Sequence, residues 1–451
     1  MTKNDILILK TDGYSSAGDG VARHDGRVVF VRRALSGETV EARILKVSSG
    51  AVFAKTERVL EASPERLVPA CPHFGRCGGC DFLHMTYAEE LRSKRRRVSD
   101  ALRRIGGVDI SVPEAAPSPA TEGYRNKAIF EAGRSADGRA ATGFYRERSH
   151  ELIALETCLI QSSASLRAAA AVREWMDGCN IPAGLVRYVF FREGRGAQTA
   201  VVTSNIGLSR TGLPHRETLI ALLRERVPET AGILQIVNGS AGNVALDGDI
   251  RLLYGSEYLE DELGGLTFRL SPRSFYQVNR AQAEGLYAEV LRLAALTEKD
   301  TALDLYCGAG TITLALAKSA GHVYGAEIVP DAVVNARENA ALNGVTNAEF
   351  RLGDAGSAAE ALARSGVFPG VITVDPPRKG LAPGVIDAIA RLRPRRVVYV
   401  SCDPATLARD ARLFAGRGYL ASEVSVFDMF PRCAHVETVL LLTAGEPYPE
   451  L

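Results

Sequence analysis

A chain of 451 residues is too long for one ordinary hydrophobic core and implies roughly two to four domains. Its 54 Lys and Arg balance 53 Asp and Glu, so whole-chain charge does not announce a nucleic-acid partner and only local basic clusters could meet one. No apolar run approaches the roughly twenty residues of a membrane span, and the amino-terminal MTKNDILILKTDG holds only a short apolar run, so the chain is expected in the cytoplasm without membrane contact.

From Ile6 to about Val59 the chain reads as short alternating strands: ILILK, GVARHDGRVVFV, TVEARILKV and AVFAKTERV. His24-Asp25-Gly26 falls between two such runs and predicts a hairpin, because Asp and Gly tolerate the left-handed backbone of tight turns. Several short strands in so little chain suit a small closed barrel, either one that binds single-stranded nucleic acid or a structural cap.

CPHFGRCGGC, Cys71 to Cys80, then crowds three of the eight cysteines together. In a reducing compartment this points to a metal or cluster rather than disulfides. Gly78-Gly79 let the backbone wrap so that several thiolates face one centre. Three thiolates need a fourth ligand, and Cys158 in LETCLIQ is the nearest later cysteine. Four cysteines hold zinc or a 4Fe-4S cluster, and spacing alone does not choose.

AEELRSKRRRVSDALRRIGG places Leu91, Val98, Leu102 and Ile105 on one helical face and Lys94 to Arg97, Arg103 and Arg104 on the other, with Gly106-Gly107 as its stop. Such a basic face is either solvated or a phosphate contact. Ser111 to Ala120, SVPEAAPSPA, reads as a linker. From Gly123 to about Gly265, strands such as LVRYVFFREG alternate with helical patches in an α+β pattern. Tyr124, Arg125, Asn126 and Lys127 are candidates there to stack on and hydrogen-bond a base.

From about Leu266 the rhythm becomes βαβ. TALDLYCGAGTITLALA is a strand ending at Asp304, a Gly308-Ala309-Gly310 loop and a helix; HVYGAEIVP follows and ends in Glu327, placed to hydrogen-bond ribose hydroxyls. The loop lacks the full G-x-G-x-x-G, and its Asp-x-x-Cys-Gly-x-Gly form resembles the S-adenosylmethionine loop of methyltransferases. On that resemblance Asp354 stands at the adenine end and Asp375 closes the pocket at the fourth strand. VVYVSCDPATLARD, Val397 to Asp410, is an apolar run that stops at Cys402 before a helical pattern. Ligands sit at the carboxyl ends of strands in open α/β sheets, so Cys402 is a candidate nucleophile. An ordinary thiol, with a pKa of about 8.5, is mostly protonated at neutral pH and needs a charge-stabilising setting or an adjacent base. Carbon methylation of a pyrimidine requires such a thiolate at carbon 6. Arg378 after Asp-Pro-Pro argues against methylation of an exocyclic nitrogen, and Ser-Cys-Asp-Pro argues against a DNA cytosine methyltransferase, which usually carries Pro-Cys.

SFYQVN (Ser274 to Asn279), LDLYCGAG, DPPRKGL, YVSCDPATLARD and HVETV together resemble the RNA uracil-5-methyltransferase family, and the barrel and CPHFGRCGGC extend the likeness over nearly the whole chain. The expected fold class is α/β in three parts: a TRAM or OB-like RNA-binding barrel at 1–63, an α+β central domain with an iron-sulfur cluster and RNA contacts at 64–265, and a Rossmann-like S-adenosylmethionine methyltransferase domain at 266–451. The resemblance implies Cys402 as nucleophile and Glu437 as general base. It implies Gln277, Tyr306, Gly308, Gly310, Glu327, Asp354 and Asp375 around S-adenosylmethionine, and a 4Fe-4S cluster on Cys71, Cys77, Cys80 and Cys158. Pro431-Arg432-Cys433-Ala434 departs from the more usual Pro-Gln-Thr before His-Val-Glu. Cys179, Cys307 and Cys433 read as core or pocket-wall residues.

The expected reaction methylates carbon 5 of a uridine flipped out of its RNA fold: Cys402 adds to carbon 6 and Glu437 later removes the carbon 5 proton. Asp375 is expected to bond both cofactor and uracil edge, and Arg378 to meet a phosphate or carbonyl oxygen. The cluster lies far in sequence from this chemistry, which exchanges no electrons, so its expected role is structural or RNA-docking. The expected partner is 23S ribosomal RNA, with transfer RNA second and no obligate protein partner implied. The rival from another class is a non-catalytic RNA-binding protein that uses the cluster as a sensor; the presence of Cys402, Glu437 and the glycine loop favours the enzyme.

Overall fold

The structure is a computed structural model that describes residues 1–147, 149–205, 212–240, 242 and 244–445. Strands β1 (Ile6–Tyr14), β2 (Gly20–His24), β3 (Arg27–Arg32), β4 (Thr39–Val47) and β5 (Val52–Glu61) close a barrel in the order β1-β2-β3-β5-β4. Alternate residues such as Val29, Val31, Val40, Ala42 and Ile44 fill its interior. The β2–β3 turn falls on Asp25 and Gly26, both at positive φ (49° and 73°), and pairs His24 with Arg27, as the Asp-Gly signal predicts.

Helix α1 (Tyr87–Ala101) starts at Thr86, whose hydroxyl accepts the Glu89 N–H, and runs through one wider turn, Leu102–Gly106, to a left-handed Gly107. Its apolar residues Val98 and Leu102 join the core of the carboxy-terminal sheet, together with Val112 and Ala115. The stretch read as a linker is therefore a strap: Ala116 N–H donates to the Val426 carbonyl (2.7 Å) and Asp428 N–H to the Ala116 carbonyl (3.0 Å).

The central sheet comprises β6 (Lys127–Arg134), β7 (Ala140–Tyr145), β8 (Leu152–Ala154), β9 (Val186–Glu193), β10 (Ala197–Thr203), β11 (Thr230–Val237) and β12 (Asp249–Gly255) in the order β12-β11-β10-β9-β6-β7-β8. Helices α2 (Ser163–Gly178) and α3 (Arg216–Arg226) pack on it around Trp175. The hairpin β13 (Leu259–Leu263) and β14 (Leu266–Leu270) leads to the last unit.

That unit is a seven-stranded sheet of β15 (Thr301–Leu305), β16 (His322–Glu327), β17 (Ala348–Leu352), β18 (Val371–Val374), β19 (Arg396–Ser401), β20 (Tyr419–Phe427) and β21 (Glu437–Ala444), ordered β17-β16-β15-β18-β19-β21-β20. Helices α4 (Arg280–Ala294), α5 (Thr311–Ala317) and α6 (Pro330–Leu342) cover one face, and α7 (Ala355–Arg364), α8 (Pro383–Leu392) and α9 (Pro404–Ala415) the other, with α1 beside them. Burial on both faces explains the near-continuous apolar runs: β18, VITV, is buried throughout. The strand order reverses beside β15, between β16 and β18, which opens a crevice at the carboxyl ends of the strands. β21 alone runs antiparallel, because the loop from β20 returns directly to the sheet. Among the described residues no helix is long and apolar enough to cross a membrane.

Candidate active site and cysteine nest

Cys402 follows β19 and Glu437 opens β21. Ser401 pairs with Thr438, so the antiparallel register sets Cys402 and Glu437 opposite each other at the carboxyl edge of the sheet. Val374 of β18 aligns with Tyr399, and Asp375 leaves the sheet one residue later with its N–H 3.4 Å from the Leu305 carbonyl. These three groups feel one another. Burial first, and Asp375 second, hold the Glu437 carboxyl well above the usual carboxylate range, with Arg378 opposing. Burial, then Asp304, pushes Asp375 up to about 7. Burial, then Glu437 and Asp375, pushes the Cys402 thiol up to about 11, again against Arg378. Each shift favours the protonated form, and a positive charge brought into the pocket would oppose it. Arg378 itself lies 3.2 Å from His435 Nε2. Burial and then Arg378 lower this imidazole to about 4, so the neutral ring accepts from the guanidinium.

The Ser-Cys-Asp-Pro turn works by division of labour. Asp403 caps α9, its Oδ1 accepting the N–H groups of Ala405 (2.9 Å) and Thr406 (3.0 Å), and Pro404 takes the first helical turn, where its missing N–H costs nothing. Ser401 Oγ accepts the Asp403 N–H. The backbone is satisfied without the cysteine. The Asp-Pro-Pro-Arg-Lys-Gly loop is tied to the same helix: Asp410 accepts from Leu381 N–H and Tyr399 OH (2.7 Å each), and Arg409 donates to the Lys379 carbonyl (2.8 Å). Gly380, at φ +71°, has Asp410 Oδ2 2.5 Å from where a Cβ would stand, so the close approach needs glycine.

Across the crevice, Asp304 is buried beneath the glycine loop and bonds Thr313 Oγ1 (2.6 Å) and Thr373 Oγ1 (2.7 Å), joining β15, α5 and β18. Burial raises it to about 6. Tyr306, Gly308 and Gly310 all adopt positive φ (66°, 55° and 86°). A Cβ on Gly308 would meet open space, whereas one on Gly310 would stand 3.1 Å from the Phe350 ring. Glu327 Oε2 accepts the Gly308 N–H (3.1 Å) and its Oε1 those of Ile328 and Val329, so the strand-end carboxylate and the loop are locked together. Asp354 accepts the Ser357 N–H (3.0 Å) as cap of α7, a structural duty its sequence context did not announce. Gln277 is buried before α4, its carbonyl accepting from Asn126 Nδ2 (3.0 Å).

Cys71, Cys77, Cys80 and Cys158 line one cavity whose other walls include Phe74, Leu83, Phe144 and Ile160. Among the described residues no three His, Cys, Asp or Glu side chains converge as the ligands of a single ion do. Four thiols around one apolar cavity are the donor set that a cysteine-held cluster would use. Cys433 also approaches this nest: its thiol donates to the Gly79 carbonyl (3.2 Å), one residue before Cys80. Its sequence position, 354 residues from Gly79, gave no sign of that.

The basic helix divides its charges. Lys94 is buried and bonds Glu90, Asp428 and the Phe430 carbonyl, and Arg97 bonds the Ala434 carbonyl. Both face the loop that carries Glu437 rather than solvent. The remainder, Arg92, Arg95, Arg96, Arg103 and Arg104, line a cleft against Tyr14 and Arg23 of the barrel. Tyr124 is buried, with its hydroxyl on the Pro431 carbonyl (3.0 Å), and so does not present a ring for base stacking.

Residues 244–445 match the tRNA (Uracil-5-)-methyltransferase family and residues 3–56 the TRAM domain. The chain is 40% identical to an uncharacterized RNA methyltransferase of Halalkalibacterium halodurans, over 98% of both proteins. It is 37% identical to one of Clostridium acetobutylicum, over 98% of this chain and 97% of that one. A solved tRNA (uracil-54, C5)-methyltransferase of Pyrococcus abyssi, in complex with S-adenosyl-L-homocysteine, superposes with a TM-score of 0.77 at 27% identity, over 97% of this chain and 99% of that one.

Proposed function

Because this chain belongs to the RNA uracil-5-methyltransferase family and is an S-adenosylmethionine-dependent enzyme, we propose that it methylates carbon 5 of one uridine in 23S ribosomal RNA through a covalent adduct of Cys402. The observation that carries this reading is the β19–β21 register, which sets a thiol opposite a buried carboxyl with Asp375 on the adjoining strand. S-adenosylmethionine supplies an electrophilic methyl group. Glu327 takes the ribose hydroxyls, Gly308 and Gly310 permit close backbone approach, Asp354 lies toward the adenine, and Gln277, Tyr306 and Asp375 complete the wall. The open space over Gly308 and the carboxylates around it suit a cationic, hydroxyl-rich ligand.

The Cys402 thiolate adds to carbon 6 of the flipped uridine, and the electron pair displaced to carbon 5 becomes the methyl acceptor. Arg378 stabilises the thiolate and the developing negative charge on the ring. Once carbon 5 is methylated, Glu437 takes its proton, and the returning electron pair expels the cysteine. A buried carboxylate whose charged form is disfavoured is a stronger base than an exposed one, which suits that duty. Cys71, Cys77, Cys80 and Cys158 hold a 4Fe-4S cluster that fixes the loop around them. The reaction needs no electrons from it. The arginine cleft between barrel and α1 guides the phosphate backbone.

Transfer RNA is the second reading, favoured by the likeness to the Pyrococcus abyssi tRNA (uracil-54, C5)-methyltransferase. One experiment separates them: labelled S-adenosylmethionine, anaerobically purified protein and total RNA from cells lacking the gene, with mass spectrometry of the labelled fragment. Label as 5-methyluridine in 23S ribosomal RNA is the expected result; label in transfer RNA would transfer the substrate to the second reading. Absence of label from every RNA would overturn both.

A further inference from the structure

The barrel turns two aromatic rings outward. Along β3 the side chains alternate, with Val29 and Val31 filling the interior and Val28, Phe30 and Arg32 on the outer face. β5 does the same, with Val52 and Ala54 inside and Phe53 and Lys55 outside. The two strands pair in parallel, which sets Phe30 beside Phe53 and Arg32 beside Lys55. The ring centroids stand 5.6 Å apart with the planes tilted by 37°, and Phe53 is 36% exposed. On its other flank the ladder sets Phe53 across from Lys46 of β4.

This pair continues a surface already described. Phe30 pairs with Val21 across the β2–β3 ladder, and Val28 with Arg23. Val21 and Arg23 line the arginine cleft between barrel and α1. Cross-strand partners point to the same face of a sheet, so the barrel wall of the cleft runs directly into the aromatic pair. Cations border it: Arg23 and Lys46 are exposed, Arg32 is shared with Glu147, and Lys55 lies 3.1 Å from Glu57.

We infer that Phe30 and Phe53 form a stacking platform for unpaired bases of the substrate RNA, beyond the arginine cleft on the same path. The inference takes RNA as the ligand from the reading above and does not depend on which RNA is methylated. Arginines hold a phosphate backbone by charge and leave its bases without a partner. An aromatic face beside such a track supplies one, because every base has a π-face to stack. Bases inside a helix are already stacked on their neighbours, so the platform takes single strands. A role confined to holding β3 beside β5 asks only for apolar contact, which leucine also supplies.

The test uses the full chain and a fluorescein-labelled strand of about twelve uridines, within the roughly 4–16 nucleotides that one such barrel covers, with its duplex on an adenosine strand as control. Anisotropy gives Kd for wild type, Phe53→Leu and Phe53→Trp. Phe53→Leu is expected to weaken binding of the single strand by at least about fivefold, the lower end for one lost base stack, with duplex binding unchanged. Phe53→Trp is expected to bind as tightly as wild type and to lose indole emission when the strand is added. Trp175, the one tryptophan of the natural chain, is buried in the central domain and gives a constant background. Wild-type protein that does not bind the strand overturns the inference. So does a Phe53→Leu affinity equal to that of wild type, an equal loss for strand and duplex, or a Phe53→Trp emission that the strand leaves unchanged. Should Phe53→Leu fold poorly, Phe53→Trp, which keeps a ring, carries the answer alone. The labelling experiment above is read separately: RNA left unlabelled by a protein that passes this test would overturn the proposed reaction and leave the platform in place.

Discussion

Replacing Lys94 by Met tests what holds the loop before Glu437 in place. Lys94 is 1% exposed, and Glu90 and Asp428, which share its ammonium, are fully buried. Glu90 Oε1 also accepts the Arg432 N–H (2.7 Å), and Asp428 Oδ2 accepts Tyr87 OH (2.8 Å), so the group binds α1 to the start and the middle of the loop before Glu437. Met keeps most of the volume but leaves two carboxylates facing each other without their shared cation. Breaking a buried pair in this way costs about 3–5 kcal/mol. For a cooperative unit of this size each kcal/mol is worth roughly 2–4 °C in melting temperature, so a fall on the order of 10 °C is expected. The loss should depend on pH. Burial, with Asp428 adding to it, raises Glu90 from its ordinary range to about 7, so its contribution is present at low pH and lost as pH rises through 7. Without Lys94 that rise grows, and the deficit should be smaller at pH 6 than at pH 8. The assay is a melting scan at both pH values with hydrogen exchange on residues 428–437, and Lys94→Met/Glu90→Gln/Asp428→Asn should recover much of the loss. A Lys94→Met protein melting within about 2 °C of wild type at both pH values would refute the reasoning.

Other expectations concern chemistry, titration and RNA. Cys402→Ala should abolish methyl transfer, and Glu437→Gln should accumulate a covalent protein–RNA band on denaturing gels; full turnover by Cys402→Ala would sink the adduct mechanism. Asp375 titrates near 7 in the folded protein, well above an ordinary aspartate, so its stabilising contribution is complete below about pH 4 and is lost as pH rises through 7. Melting temperature without ligand should therefore fall across that window, and less steeply in Asp375→Asn; an unchanged slope would count against the assignment. Arg96→Glu should raise KM for RNA and flatten its salt dependence by about one unit of log–log slope while leaving S-adenosylmethionine binding intact. Equal salt slopes for variant and wild type would remove the cleft from the RNA path.

What the sequence revealed and what it hid follow from the range of the interactions. The β2–β3 turn was legible because Asp25 and Gly26 answer to their own backbone. The strand-end position of Cys402 was legible because an apolar run stops there, whereas Glu437 entered through the family resemblance of HVETV, and the ladder sets the two, 35 positions apart in the chain, opposite each other. Lys94 was misread as part of a basic surface, since a Lys amid arginines has no local mark of burial and its partner Asp428 lies 334 positions away. Ser111 to Ala120 has the composition of a linker, yet Ala116 exchanges hydrogen bonds with Val426 and Asp428 at the edge of β20, a contact visible only once the sheet exists.

On the proposed mechanism, the position of the loop before Glu437 would give an enzyme that moves no electrons a reason to keep a four-cysteine nest. The loop from Asp428 to Val436 leaves the sheet and must return Glu437 opposite Cys402. Much of its support comes from far earlier in the chain: the Asp81 and Phe82 N–H groups hold the Arg432 carbonyl, Tyr124 OH the Pro431 carbonyl, Arg97 the Ala434 carbonyl, and Asn279 Nδ2 the Met429 carbonyl (3.2 Å). Asp81 directly follows Cys80, so whatever fixes the cysteines fixes the donors that aim the loop. The segment from Cys71 to Cys80 has three glycines and no helix or strand of its own, while Phe82 just beyond it packs with Leu35, Met85 and Ala434. On the cluster reading proposed above, bonds from four cysteines to one rigid body would add to that support. On this account the nest serves catalysis by geometry, and its loss should show first as faster hydrogen exchange at Arg432 to Ala434, with the β15–β18 ladder beneath the cofactor loop still protected.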